Sequence, residues 1–166
     1  NKMCEDPKED LRQVVGICGI YCGTCPRYLA SRENDLEQLK EISQATGIPI
    51  DKIHCDGCLS GNVFPTCREC IHGFRQCAKE KNVTWCFECD EFPCQRLYHF
   101  KEVHIVNGIS HHAHVIEDLR YMKEHGIEQC VKEQEKAGTC VTCGKRLYWF
   151  TKECPRCHTK FLSRNK

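Results

Sequence analysis

Apolar residues along the chain change their rhythm from segment to segment. A short run, Val14-Val15-Gly16-Ile17, comes first. Leu36, Leu39 and Ile42 then recur at helical spacing, with Asn34 or Ser31 placed to cap the start and Gly47 and Pro49 placed to end it. From Ile53 to Cys94 the periodicity is lost, and Gly57, Gly61, Pro65, Gly73 and Pro93 punctuate the segment. Little regular structure and little buried apolar area are expected there, so something other than an apolar core must supply much of its folding free energy. Ile109, Ala113, Ile116, Leu119 and Met122 share one helical face, with a stop at His125-Gly126. Ile127, Cys130, Val131 and Gln134 predict a shorter helix ending before Gly138, with Cys130 as a buried thiol. The tail from Thr139 reads as knuckle, strand, knuckle, strand, with Leu147-Tyr148-Trp149-Phe150 in the middle. The predicted fold class is a small metal-dominated α+β protein: a loop-rich cysteine-knuckle domain with about three helices, plus a C-terminal β zinc ribbon. Its expected parts are a disordered lead-in at 1–13, a cysteine-rich metal-binding domain at 14–104, a helical connector packing on it at 105–138, and the ribbon at 139–166.

Cysteine changes the picture most, at 17 of 166 residues. That usage means disulfides or metal thiolates. The cysteines come as C-x2-C pairs, whose members converge on one ion but form only a strained bridge with each other. The count is odd, and the polar residues 1–10 are followed by no apolar stretch of the kind a secretory signal needs. Metal is therefore the reading taken, and reduced thiolates imply a cytoplasmic location. No stretch approaches the ~20 apolar residues that cross a bilayer, so no membrane partner is expected.

Fifteen cysteines make up the candidate ligand set. Cys140, Cys143, Cys154 and Cys157 form C-x2-C-x10-C-x2-C, in which two tight turns present four thiolates to one ion. This looks like a rubredoxin-type zinc ribbon, and iron could occupy the same S4 site. The other eleven are Cys18, Cys22, Cys25, Cys55, Cys58, Cys67, Cys70, Cys77, Cys86, Cys89 and Cys94. They fit three four-coordinate sites with one place short, for which His54 and His72 are the nearest candidates. The simplest partition joins Cys55/Cys58 to Cys67/Cys70, and Cys77 to Cys86, Cys89 and Cys94, leaving Cys18, Cys22 and Cys25 to share an ion with a histidine. Cross-braced sharing is equally allowed. Cys4 and Cys130 lie outside the set. The cofactor expectation is three to four Zn ions, with an Fe–S cluster as the alternative for the N-terminal domain.

Cys18-x3-Cys22-x2-Cys25 matches the cluster-binding triad of radical S-adenosylmethionine enzymes, but the cysteine-dense residues that follow leave no room for their α/β domain. His104, His111, His112 and His114 could form a further metal or pH-sensitive site. They are read as a solvated helix start, because no carboxylate or cysteine completes the set. Net charge is +1, which argues against binding nucleic acid through bulk electrostatics. From Lys145 onward, however, the local net is +6, with Tyr148, Trp149, Phe150 and Phe161 interleaved. Stacking on single-stranded nucleic acid is the alternative there, and aromatics forming the ribbon's own small core is the reading taken. No Cys-His nucleophile arrangement or phosphate loop stands out, which points away from an enzyme. A structural role with a protein partner is the leading class, and thiol redox chemistry its competitor.

The motif set Cys18-Gly-x-x-Cys22-x-x-Cys25-Pro26, Cys55-x-Gly-Cys58, Cys67-x-x-Cys70, Cys77-Ala78 and Cys86-x-x-Cys89-x-x-x-Pro93-Cys94 resembles a cysteine-rich family of bacteria and archaea that carries a domain-of-unknown-function label. The resemblance runs from about Val14 to about Phe161 and takes in the stretch Gly126 to Gln134 and the terminal ribbon. It implies a metal-binding cytoplasmic protein and implies no reaction. The departures are the histidine-rich segment around His111, and His158, where the family pattern commonly has glycine.

Overall fold

The computed structural model describes residues 11–161. Seven α-helices occur among them: α1 (Pro26–Arg32), α2 (Leu36–Thr46), α3 (Pro65–Glu69), α4 (Phe74–Lys81), α5 (Gln95–Phe100), α6 (Val115–His125) and α7 (Ile127–Ala137). Residues 11–13 add a helical turn, and three 3₁₀ turns lie at Cys22–Thr24, Ile50–Lys52 and Cys86–Glu88. One two-stranded antiparallel sheet, β1 (Ile105–Val106) and β2 (Ile109–Ser110), pairs Ile105 with Ser110 and Val106 with Ile109. The protein is thus α-rich, with more helices than the three or so the apolar periodicity predicts.

The extra helices are too short to show a period, and their ends explain them. Pro26 and Pro65 open α1 and α3 at positions where a missing N–H costs nothing. Cys70 and Asn82 close α3 and α4 in the left-handed conformation. Asn34, expected as a cap, instead takes a left-handed turn (φ 52°) between α1 and α2. The cap is Asp35, whose carboxylate accepts the Gln38 N–H at 3.1 Å, and Gly47 (φ 74°) stops α2 as expected.

The predicted helix over 109–122 is shorter than its apolar pattern. Val106-Asn107-Gly108-Ile109 makes a hairpin with positive φ at both Asn107 and Gly108, and α6 begins only at Val115. Gly126 (φ 88°) then turns α6 into α7. Buried Val115, Ile116, Leu119 and Met122 of α6, with Ile127 and Val131 of α7, close the main core.

The segment from Ile53 to Cys94 contributes more apolar burial than its sequence suggests. Phe74 and Trp85 join the main core, where Leu97 and Phe100 of α5 meet them. Phe64 is fully buried in a second cluster with Ala30, Leu39, Ile42 and Ile53. Residues 13–22 run through the centre of this assembly. Leu59 N–H donates to Gln13 O (3.4 Å), Cys22 N–H to Val14 O (2.7 Å) and Cys86 N–H to Ile17 O (2.9 Å). The first cysteine motif is therefore held between the second and the last.

Candidate metal centres

The C-terminal site is built twice from one plan. Residues 138–147 and 152–161 are the same backbone unit, fourteen positions apart. Cys140 N–H donates to Lys145 O and Cys154 N–H to Thr159 O, both at 2.8 Å. Gly144 and His158 N–H donate back to Cys140 O and Cys154 O, both at 2.9 Å. Single β-bridges, Thr139 to Arg146 and Glu153 to Lys160, close the units, in place of the longer strands expected. After each C-x2-C the chain must turn left-handed: Gly144 has φ 77° and His158 has φ 62°. His158 keeps its ring on Glu153 at 3.0 Å and stands outside the thiol group.

The two units bring Cys140, Cys143, Cys154 and Cys157 together with all four sulfurs within 4.8 Å of one another. Cys140 to Cys157 is 3.5 Å and Cys143 to Cys154 is 3.6 Å. Tetrahedral zinc with Zn–S bonds near 2.3 Å sets its ligand sulfurs about 3.8 Å apart, so the group fits one ion. Donation from the Cys143 and Thr142 N–H groups holds the Cys140 thiol down to about 6. Burial pushes Cys154 up, but the N–H groups of Cys157 and Arg156 outweigh it and leave that thiol below its usual range. Cys143 accepts from Lys145 N–H, yet burial and the thiols around it raise it to about 11. Backbone donors thus favour thiolate at one cysteine of each knuckle, the form a metal takes up. Four thiolates would fill a tetrahedral ion's coordination and leave no open position.

Tyr148 and Trp149 of this tail face the body of the protein, while Phe161 packs within the ribbon. The ribbon's small core is Cys140, Leu147 and Cys154, with Phe161 against it. Tyr148 donates to Asp35 Oδ2 at 2.7 Å, Trp149 N–H donates to Thr24 O at 3.1 Å, and the Trp149 ring stacks on His111 at 4.5 Å. Burial and the Asp35 carboxylate raise the Tyr148 phenol above its ordinary value. Arg146 pairs with Glu135 (3.5 Å) and Lys145 with Glu33 (3.9 Å). Part of the basic, aromatic surface that suggested nucleic-acid binding is therefore committed to intramolecular contacts.

The eleven N-terminal candidates are all unbridged thiols, but among the described residues no three of them bring their sulfurs within 4.8 Å of one another as the ribbon set does. Cys18, Cys22 and Cys25 do not stand apart as a triad. Burial, then the thiols of Cys58, Cys86 and Cys70, raise Cys18, against donation from the Ile20 backbone. Burial raises Cys22 well above its usual value, with Cys58, Cys25 and Cys55 as its thiol neighbours. Burial likewise lifts Cys25 to about 11, with Cys67 and Cys55 adding to it. The Cys58 thiol is raised by burial and has Cys70 and Cys67 beside it. Seven thiols from Cys18 to Cys70 are therefore neighbours across motifs, and Cys86 adjoins them at Cys18. Burial takes Cys86 to about 12, and its first thiol neighbours are Cys94, Cys77 and Cys89. Guanidinium groups stand by to offset thiolate charge: Arg27 reaches Cys67 Sγ at 3.2 Å and Arg75 reaches Cys58 Sγ at 3.5 Å. Cys89 also groups with Asp90 and Glu91, its chain neighbours.

The two candidate histidines for the twelfth position make other contacts. His54 places Nε2 2.7 Å from Asp56 and Nδ1 3.4 Å from Ser31 Oγ, on the surface. His72 packs edge-on against Phe100 at 4.7 Å and lies 5.8 Å from the ring of His112. The histidine-rich segment is not a solvated helix start: His112 is buried, and the rings of His104, His111 and His112 converge. The hairpin brings them together, and its Asn107-Gly108 turn was the signal in the sequence. Cys4 lies outside the described residues.

These features define a small, α-rich, cysteine-rich protein with a C-terminal four-cysteine cluster, consistent with a zinc ribbon, and no described helix is long and apolar enough to cross a membrane. The model of a family described as protein of unknown function (DUF3795) matches residues 14–99, more than half of the chain, and the chain belongs to that family. No curated protein matches, and no solved structure matches.

Proposed function

We propose that the chain is a zinc-binding protein whose thiolate sites are structural and whose role is that of an interaction or adaptor module in the cytoplasm. The observation that carries this reading is the four-sulfur group of Cys140, Cys143, Cys154 and Cys157, brought together on two repeated knuckles, whose four thiolates would fill a tetrahedral ion's coordination. In the N-terminal domain the neighbouring of thiols across motifs supports cross-braced sharing: the seven thiols from Cys18 to Cys70 would hold two ions between the pairs, with one of the eight positions left to another ligand, and Cys77, Cys86, Cys89 and Cys94 would hold a third. The neighbouring arginines would lower the cost of concentrating thiolate charge.

Metal content and an absorption spectrum on protein purified without oxygen test this reading. Three to four thiolate-bound zinc ions per chain and no visible absorption are expected. Iron with acid-labile sulfide would replace the structural reading with an Fe–S protein.

A further inference from the structure

We propose that His104, His111 and His112 form an all-histidine zinc site, separate from the thiolate centres. Their three ligand nitrogens lie within 4.8 Å of one another. The ring centroids form a near-equilateral triangle: 5.6 Å from His104 to His111, 5.4 Å from His104 to His112, and 5.2 Å from His111 to His112. Imidazoles bound end-on to one tetrahedral zinc, at Zn–N near 2.0–2.1 Å, have centroids about 5 Å apart.

The surroundings select the ligand atoms. His112 Nδ1–H donates to Phe100 O at 3.0 Å, and its ring is stacked on Phe100 at 3.8 Å. That bond fixes the tautomer and leaves Nε2 with a free lone pair, the arrangement that orients metal-bound histidines. His111 Nε2 is buried without a hydrogen-bond partner, although its ring is clamped face to face on Trp149. A buried polar nitrogen left unpaired is costly, and a metal would satisfy it. His104 holds φ 63°, a conformation a histidine enters at some cost, while its carbonyl accepts from His111 N–H at 3.2 Å. The hairpin thus sets His104 opposite His111, and α5 fixes His112 from behind. His104 is the exposed member and gives an ion its way in.

Three imidazoles are neutral ligands and leave one of zinc's four positions for water or a small anion, unlike the closed thiolate site. His111 also lines a cavity of about 430 Å³ between the hairpin, α6 and the ribbon, together with His114 and Tyr148. The ribbon would then have a second purpose, since Trp149 braces a ligand of the histidine site.

Histidine imidazole nitrogen resonances are followed in the full-length protein with its thiolate sites already filled, while Zn²⁺ is added. One further equivalent should shift His104, His111 and His112 saturably and leave His99, His125 and His158 in place. His104→Asn tolerates the positive φ, and His111→Phe keeps the stack on Trp149. Each should weaken this last equivalent by about 100-fold or more, beyond the effect of losing an outer-shell partner, with the zinc already held by thiolates unchanged. No saturable shift in the wild-type protein, shifts spread over all histidines, or equal uptake by both variants would overturn the site.

Discussion

At the residue scale, Asp35 and Tyr148 show how one side chain serves two levels of structure. One Asp35 oxygen caps α2 through Gln38 N–H, and the other accepts the Tyr148 hydroxyl from the ribbon. Tyr148→Phe removes only the second bond and should cost about 1–2 kcal/mol, since the acceptor is charged. Asp35→Ala removes both and should cost about 2–3 kcal/mol. Denaturant melts of the two variants and the double variant measure the coupling; fully additive losses would show that the bond does not form. Gly57 presents a different constraint. Its φ is 113°, and a Cβ there would sit 2.2 Å from Gln13 O, where the second motif grips the first. Gly19, with φ 90° and the Leu119 side chain 2.7 Å from its missing Cβ, is the corresponding contact with α6. Gly57→Ala should therefore destabilise by at least about 1–3 kcal/mol from backbone strain alone, whereas Gly61→Ala, which meets nothing and has no positive φ, should stay within about 0.5 kcal/mol. Equal melting behaviour of the two would contradict this placement.

At the scale of elements, the structure divides according to what a periodic pattern can carry. The long amphipathic stretches were legible in most positions: α7 buries Ile127, Cys130, Val131 and Gln134 as its spacing predicted, α6 buries Ile116, Leu119 and Met122, and α2 buries Leu39 and Ile42 but leaves Leu36 exposed. Helices of five to eight residues were not, because two turns give too few apolar positions to set a face, as α3 and α4 show. Pro65 and Gly73, which open them, were visible but read as loop punctuation. In the candidate sites, the ribbon's C-x2-C spacing revealed the sulfur group because each pair is closed locally. The histidine triangle needed a hairpin to bring His104 against His111, so in line its residues read as a histidine-rich helix start with nothing to complete a site. The ribbon's two units also differ in one instructive position. Gly144 accepts its left-handed turn freely, while His158 takes the same turn with a side chain. His158→Gly should raise ribbon stability by up to about 1 kcal/mol, reduced by the loss of a surface contact with Glu153. Gly144→Ala should lower it by a similar amount. Zinc-release rates with a competing chelator compare the pair, and changes of the same sign in both would sink the repeat argument.

At the scale of the whole molecule, the two tryptophans report on different parts of one metal-dependent assembly. Trp85 lies in the main core, with its indole N–H toward Val15 O at 3.4 Å, beside the last cysteine motif. Trp149 lies where the ribbon meets α1's leading turn and the histidines. Residues 13–22, which turn back on themselves through the Val15–Tyr21 bridge, are held at Gln13 by Leu59, at Ile17 by Cys86 and at Gly19 by close approach to α6. Each of those grips is next to a candidate thiolate ligand, so loosening the N-terminal sites should release the segment on which α6 packs. Complete metal removal is accordingly expected to abolish the near-ultraviolet circular dichroism of both tryptophans and much of the helical signal together. Helix pairs of this length are marginal in water without a packed face. Cys154→Ser, by contrast, breaks only the ribbon's closed site. In proteins carrying Trp85→Phe or Trp149→Phe, it should change the emission of Trp149 and leave that of Trp85 native. If the Trp85 signal also collapses in Cys154→Ser, the ribbon and the core form a single cooperative unit. The separation of stabilities inferred from their distinct hydrophobic clusters would then fail.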